Sequence, residues 1–266
     1  MGNPVSHSKS PLIHKSFAEQ TGQRIHYQQI HVELDEFNSA LDLFQQQGGK
    51  GLNITLPFKR DAWQAADVLT GISDRAEAVN TMWFDAKGKR FGDTTDGRGL
   101  MIDLTINHLI NIKDKDVLVL GAGGAVRGIL DPLFDQHPAK VVIANRTVSK
   151  AGQLVEIFSN RGELVACEYQ NLSGRKFNII INGTAASLQG EVPPVPGDVL
   201  AAGACCYDMM YSMSDTPFVT WAKKNKAAVT LDGTGMLVEQ AAESFLIWRG
   251  IRPETKPVIE MLRSGK

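Results

Sequence analysis

Residues Lys115 to Gly128, KDVLVLGAGGAVRG, restrict the fold more than any other stretch of the chain. A short run of β-formers, Val117 to Leu120, empties into clustered glycines, and a helix-like segment follows. A dinucleotide fold needs that order: a buried parallel strand, a tight turn, then a helix N-terminus whose free N–H groups face a pyrophosphate. Gly121 permits the turn, while Gly123 and Gly124 let backbone approach phosphate without a Cβ in the way. The spacing departs from G-x-G-x-x-G, because Val126 stands where the third glycine falls; Ala125 and Gly128 are the small residues available for helix–strand packing. An ordinary strand-to-helix turn would read the same way, so the motif alone does not decide.

A second apolar strand, Val141 to Ala144, ends in Asn145-Arg146-Thr147, with Lys150 one helical turn beyond. An NAD site usually places an acidic residue here to accept from the ribose 2′-OH. This chain offers an amide, a guanidinium and a hydroxyl. Cations at a helix N-terminus oppose the macrodipole unless an anion sits there, and Arg and Lys suit a 2′-phosphate. The cofactor expected is NADP(H).

Six segments, beginning at or near Val117, Val141, Leu164, Phe177, Ala204 and Ala227, alternate with helical stretches, which predicts a parallel sheet covered on both faces. Before them lies a smaller α/β pattern. A helix opens at Ser10-Pro11, with Ser10 as cap, and closes at Gly22; Ile25 to Ile30 alternates like a strand. Asp35 to Gln47 is an amphipathic helix, Gly51 to Leu56 a strand, and helical material runs from Lys59 to about Ala78. Thr81 to Phe91 is a hairpin turning at Lys87-Gly88. Gly92 to Gly99, GDTTDGRG, is polar and reads as a flexible domain boundary before a helix over Leu100 to Leu109. Gly183 to Gly197 reads as exposed loop, and the chain ends in a helix from about Gly235 to Trp248 and a last short one.

At 266 residues the chain can form one large or two modest domains. A net charge of −1 leaves no basic field for nucleic acid, and no apolar run or signal-like segment points to a membrane. Cys167, Cys205 and Cys206 form no C-x-x-C, and the six histidines show no ligand spacing, so no metal is expected. The setting expected is the cytoplasm.

Several polar residues interrupt apolar patterns: Ser8, Ser10, Asn53, Thr55, Lys59, Asn80 and Asp96. Singly each has a plain structural explanation as cap, turn or solvated surface group. Together they stand in an ordered set: S-x-S-P at Ser8, G-x-N-x-T-x-P-x-K at Gly51 to Lys59, AVNT at Ala78, TDG at Thr95, GAGGA at Gly121, NRT at Asn145, YDMMY at Tyr207 and GMLVEQA at Gly235. This set resembles the shikimate dehydrogenase family, NADP-dependent enzymes of aromatic amino-acid biosynthesis, over nearly the whole chain.

The resemblance implies an N-terminal α/β substrate domain, residues 1–97, completed by helices at 237–266. A Rossmann-like, doubly wound NADP-binding domain would occupy 98–236, with the active site in the cleft between them. It implies Lys59 and Asp96 as the catalytic pair for reversible reduction of 3-dehydroshikimate to shikimate. A ketone reduction needs a proton donor at the oxygen that becomes an alkoxide. A carboxylate beside a lysine holds it protonated, so Asp96 makes Lys59 an orienter and electrostatic stabiliser as much as a base. Ser8 and Ser10 match the positions that hold the substrate carboxylate; Thr55, Asn80, Asp96 and Gln240 match those for its hydroxyls, with Asn53 and Tyr211 lining the pocket. Gly121, Ala122, Gly123, Gly124, Ala125, Asn145, Arg146, Thr147, Lys150, Thr184, Met209 and Gly233 match the cofactor positions. The partners implied are small molecules only, on a monomer or homodimer.

Three departures stand out. Thr94 replaces the usual Asn before T-D-G, which predicts altered hydrogen bonding around Asp96. Ala185 replaces Ser or Pro. Family members also carry an apolar strand ahead of G-N-P, whereas this chain starts at Met1-Gly2, which predicts unpaired backbone and an open core there. Two other readings stay open: a quinate/shikimate dehydrogenase with relaxed NAD/NADP use, and a catalytically weak protein that binds both ligands.

Overall fold

The computed structural model describes residues 1–265 as two α/β layers, each built on its own sheet. The first carries helices α1 (Ser10–Thr21), α2 (Phe37–Gln46), α3 (Lys59–Ala65) and α4 (Gly71–Ala76) around strands β1 (Gly51–Asn53), β2 (Val68–Leu69), β3 (Thr81–Phe84) and β4 (Arg90–Asp93). The strand order is β1-β3-β4-β2, with β3 and β4 forming the expected antiparallel hairpin through Gly88. Leu41, Leu52, Phe58, Val79 and Met82 form its core.

Four local expectations are corrected here. Ser10 is the first residue of α1 rather than its cap; the Ser8 hydroxyl accepts from the Ser10 N–H at 3.3 Å, one of the free N–H groups at that helix end. The segment 25–30 is not a strand. Its available neighbour is residues 1–2, and the pairing is one parallel bridge between Gly2 and His31. Those two residues nonetheless close the sheet edge: Thr55 N–H donates to the Met1 carbonyl, and Val32 N–H to the Gly2 carbonyl. The Met1 side chain is buried with Val32 and Phe37, so the open core expected there is not found. Third, helical material does not run unbroken from Lys59 to Ala78. The chain leaves α3 to add β2 beside β4, where Asp67 N–H reaches the Arg90 carbonyl, and restarts at Thr70, whose hydroxyl caps α4. The strand expected over 51–56 ends at Asn53, although Ile54 N–H still bonds the Asn80 carbonyl.

The second sheet contains β5 (Asp116–Leu120), β6 (Lys140–Ala144), β7 (Leu164–Cys167), β8 (Phe177–Asn182), β9 (Leu200–Asp208) and β10 (Val229–Leu231). All six are parallel, in the order β10-β9-β8-β5-β6-β7. Val117 and Val119 of β5 pack on one face, Leu118 and Leu120 on the other, as a doubly covered sheet requires. The order reverses between β5 and β8, and the crevice at the C-terminal ends of those strands is where such sheets bind ligands.

Gly92 to Gly99 is not a flexible boundary. Asp93, Thr94, Thr95 and Asp96 are all buried, and β4 runs almost directly into α5 (Asp96–Ile102), which continues as a π-helical turn over Asp103–Asn107. The segment 183–197 is irregular but partly packed: it holds a 3-10 turn at Ala186–Gln189 and buries Val195. The closing helices α9 (Thr234–Arg249) and α10 (Lys256–Ser264) return to the first layer, where Val238, Phe245 and Val258 pack against Ile13 and Phe17 of α1. Among the described residues no helix is long and apolar enough to cross a membrane.

His14 lies at the centre of that last cluster. Its ring stacks on Tyr27 at 4.3 Å and meets Trp248 at 5.3 Å, and Nε2 lies 3.1 Å from Asn53 Oδ1. Burial lowers its pKa from 6.5 to about 4, against a smaller upward pull from the Asn53 hydrogen bond. The unfolded chain therefore takes up a proton below pH 6.5 that the folded one refuses until about pH 4. The stability this site contributes is complete above pH 6.5 and is lost as pH falls toward 4, by about 3 kcal/mol in all. In His14→Gln, unfolding free energy measured against pH should fall less steeply across that window, by up to one proton. An unchanged slope would show that His14 does not titrate in this way.

Candidate active site

Between the two sheets lies a cavity of about 1060 Å³, walled by both. On the first layer's side its wall includes Ser8, Ser10, Asn53, Thr55, Lys59, Asn80, Asp96 and Gln240. On the other side are Ala122, Gly123, Gly124, Ala125, Lys150, Thr184, Met209 and Gly233, with Tyr211 at the β9 end. Seventeen of the residues expected in the site thus line one cavity, counting Lys59 and Asp96.

The polar centre of this wall is built at helix starts. Lys59 is the first residue of α3 and Asp96 the first of α5. Lys59 Nζ donates to Asp96 Oδ2 at 2.5 Å, with both side chains largely buried. Asn80 Nδ2 donates to Asp96 Oδ1 at 2.8 Å and also contacts the Thr95 hydroxyl and Gln240 Oε1. Asn80 is itself oriented, because its Oδ1 accepts from the Thr81 hydroxyl and from the Thr95 N–H. Asp96 therefore has each oxygen tied to a different element, and its position is fixed before any ligand arrives. An ammonium has three donors, and the Asp96 bond uses one.

Asn53 reaches the wall with its bonding capacity already spent. Its Oδ1 accepts from the Tyr27 hydroxyl at 2.8 Å and from His14 Nε2; its Nδ2 donates to the Asn80 carbonyl, the Thr81 hydroxyl and the Ser244 hydroxyl. That pattern makes Nε2 the protonated nitrogen of His14, since the Asn53 oxygen can only accept. Thr94, the unusual residue before T-D-G, is buried with its hydroxyl unbonded among the described residues, and Asp96 takes its bonds from Lys59 and Asn80 instead.

On the nucleotide side the backbone at Gly121 makes the turn that a positive φ permits. Gly121 has φ +100°, and a Cβ there would stand 3.1 Å from the Thr184 methyl. A Cβ on Gly123 or Gly124 would meet nothing within 4 Å, since both face open space at the start of α6 (Gly124–Phe134). A Cβ on Gly233 would lie 2.3 Å from the Met209 carbonyl oxygen. Asn145, Arg146 and Thr147 lie off the cavity wall, at the end of β6, with Arg146 and Thr147 exposed. They lead into α7 (Val148–Ile157), whose Lys150 does reach the wall and whose first turn has no acidic residue. Arg146 stands close enough to Tyr169 to oppose the rise that burial imposes on that phenol. A strand end opening onto a helix start, with one guanidinium and one ammonium and no carboxylate, fits an added phosphate on the ribose.

Tyr27, Arg127 and Glu77 are among the wall residues that were not anticipated. Tyr27 falls in the stretch read as a strand. Arg127 and Glu77 pair at 2.5 Å between α6 and the end of α4, and Arg75 pairs with Asp131 at 2.6 Å beside them. The one available signal was the oddity of a cation, Arg127, in the first turn of a helix. Nothing in the sequence pointed to its partner, 50 residues upstream.

A two-layer α/β chain with a nucleotide-type turn and a lysine–carboxylate pair on opposite walls of one cleft has the form of a dinucleotide-dependent dehydrogenase. The comparisons with known proteins narrow this to a family. Residues 1–82 match the shikimate dehydrogenase substrate binding domain, 103–189 the shikimate / quinate 5-dehydrogenase family, and 233–263 the shikimate 5′-dehydrogenase C-terminal domain. The chain is 56% identical over 263 residues to the shikimate dehydrogenase (NADP(+)) of Alkalilimnicola ehrlichii, covering 99% of this chain and 97% of that one. It is 54% identical over 262 residues to that of Cellvibrio japonicus, covering 98% and 95%. A crystal structure of an Ael1 enzyme from Pseudomonas putida superposes with a TM-score of 0.92 at 41% identity, covering 98% of this chain and 96% of that one. The chain belongs to the shikimate dehydrogenase family.

The wall depends on α5 lying tight against α9. A Cβ on Gly99 would stand 2.6 Å from the Gln240 backbone nitrogen. Gly99→Ala should therefore cost about 1–3 kcal/mol of stability through overpacking, measured by urea unfolding. A loss of less than a few tenths would show that the two helices part freely.

Proposed function

We propose that this protein is an NADP-dependent shikimate dehydrogenase that interconverts 3-dehydroshikimate and shikimate. The observation that carries the reading is the Lys59–Asp96 pair, fixed by Asn80 on the wall opposite Ala122 to Ala125 of the glycine turn. The substrate unit is residues 1–97 with 237–266, and the nucleotide unit 98–236. We take the compartment to be the cytoplasm.

NADPH, when bound, supplies the hydride. It would be held by the turn from Gly121 to Ala125, by Asn145, Arg146, Thr147 and Lys150 around a 2′-phosphate, and by Thr184, Met209 and Gly233 farther along the cleft. The rest of the work falls to the chain's own side chains. Lys59 offers the reacting oxygen the N–H donors not used by Asp96, so that negative charge growing on that oxygen meets a fixed positive group. The pair acts as one unit in moving the proton: Asp96 keeps the ammonium aimed while the proton passes at the substrate oxygen. Ser8 and Ser10, at the start of α1, hold the substrate carboxylate. Thr55, Asn80 and Gln240 meet its hydroxyls, with Tyr211 closing the pocket and Asn53 bracing it. Groups set to bond hydroxyls reject analogues lacking them far more strongly than apolar walls could. The intact Lys59–Asp96 pair stands against a role in ligand binding alone, and Arg146 without an acidic neighbour stands against relaxed use of NAD.

Lys59→Ala should reduce kcat by about 10²–10⁴-fold with the KM for shikimate little changed, in a spectrophotometric assay of NADPH formation. Near-normal turnover would remove Lys59 from the chemistry. Arg146→Ala should raise the KM for NADP+ by about 10–100-fold, the worth of a charge-assisted contact, and leave the slow reaction with NAD+ unaffected. Equal losses with the two cofactors would undo the 2′-phosphate assignment.

A further inference from the structure

β9 ends on two fully buried residues, Tyr207 and Asp208, which alternate to opposite faces of the sheet. The Tyr207 hydroxyl donates to Asp103 Oδ2 at 2.7 Å and accepts from the Met236 N–H. Asp208 is a different kind of site. Its Oδ1 accepts from Asn182 Nδ2 at 3.0 Å and from the Met210 N–H at 3.1 Å; its Oδ2 accepts from the Ser187 hydroxyl at 2.7 Å and the Thr216 hydroxyl at 2.6 Å. All four donors are neutral. A carboxylate taken out of water without a cation carries a penalty of several kcal/mol, which its hydrogen bonds must offset. Where a strand end needs only to pack, an apolar side chain does so without that cost.

The four donors share one property: each belongs to a segment that borders or anchors the nucleotide side of the cleft. Asn182 ends β8, and its Oδ1 accepts from the Thr184 N–H and hydroxyl, at 3.2 and 2.7 Å, so the tie passes on to the cavity wall. Ser187 lies in the 3-10 turn immediately after Thr184. The Met210 N–H fixes the turn that follows Met209, which also lines the cavity. Thr216 caps α8 (Pro217–Lys224) through the Val219 N–H. One carboxylate thus binds the end of β8, the turn behind it, the end of β9 and the start of the next helix.

We infer that Asp208 is a positioning residue for the cofactor: without touching it, its carboxylate holds Thr184 and Met209 in the arrangement that receives the dinucleotide. The inference rests on the NADP reading above. It is tested by titrating NADP+ calorimetrically into the wild-type enzyme and into Asp208→Ala, Asp208→Asn and Ser187→Ala, with KM for shikimate and thermal stability measured in parallel. Asp208→Ala should weaken NADP+ binding by about 10-fold or more, the worth of two or three lost hydrogen bonds, with the shikimate KM within about twofold. Asp208→Asn should bind within about threefold of wild type, because the Ser187 and Thr216 hydroxyls can turn to accept from its amide. Ser187→Ala, which sits on a partly exposed turn, should weaken NADP+ by about 3–5-fold at unchanged thermal stability. Wild-type affinity in Asp208→Ala, or equal weakening toward NADP+ and shikimate, would overturn the inference. If Asp208→Ala does not fold, unchanged NADP+ affinity in Ser187→Ala overturns it. A wild-type enzyme that binds no NADP+ would instead overturn the functional reading.

Discussion

At Gly97 a Cβ would stand 2.5 Å from the Gly128 carbonyl, and at Gly99 2.6 Å from the Gln240 nitrogen. The helix α5 is therefore in backbone contact with α6 on one side and α9 on the other. That double contact sets how the two layers meet. It fixes the first residue of α5, Asp96, within reach of Lys59 and Asn80 from the first layer while α6 carries the nucleotide turn of the second. A side chain at either glycine would widen one helix contact, and the cavity walls would separate with it. The separation of the two half-sites is thus written in two missing Cβ atoms rather than in any residue that faces a ligand.

Charge reinforces the same junction. Arg75 to Asp131 and Arg127 to Glu77 cross from α4 to α6, and Arg161 Nε also lies 2.8 Å from Asp131. Asp131 is nearly inaccessible, so removing one arginine leaves a buried carboxylate short of a partner, which is costly even where the intact pair gains little. Farther along, Arg98 bridges Asp93 of β4 to Glu243 of α9, and Arg252 joins Glu239. Apolar packing holds each layer together; the partly buried Arg75–Asp131 and Arg127–Glu77 pairs tie one against the other.

The sequence was most legible where one physical demand acts alone. Strands β5 to β10 must be apolar on both faces, so their runs stand out, and Gly121, Gly123 and Gly124 can be argued from backbone geometry at a turn. It was least legible where polarity and burial coincide. GDTTDGRG has the composition of a loop, yet Asp93, Thr95 and Asp96 are buried because Thr70, Asn80 and Lys59 satisfy them from elsewhere in the chain and Arg98 from within the same stretch. Short strands failed for a related reason. Residues 25–30 alternate convincingly, but a strand needs a partner of its own length, and residues 1–2 supply one bridge. The ordered set of polar residues was visible as a resemblance; the pairings that fix it, such as Thr95 with Asn80, were not.

Those pairings change what the individual residues can be said to do. Asn53 and Asn80 stand on the cavity wall, but their amides are engaged almost wholly with Tyr27, Thr81, Thr95, Asp96 and Ser244. Gln240 spends its Nε2 on the Leu237 carbonyl. A wall whose polar atoms are bonded to each other does not reorganise when charge develops in front of it, so its dipoles act at full strength during reaction. The same economy explains the placement of Lys59 at a helix start, where one donor is anchored and the others face the cleft. Rigidity here comes from saturating the polar groups behind the reacting pair. A substitution that keeps the lining but breaks that saturation, as at Ser244 or Thr81, should therefore loosen Asp96 without removing any group that faces the cavity.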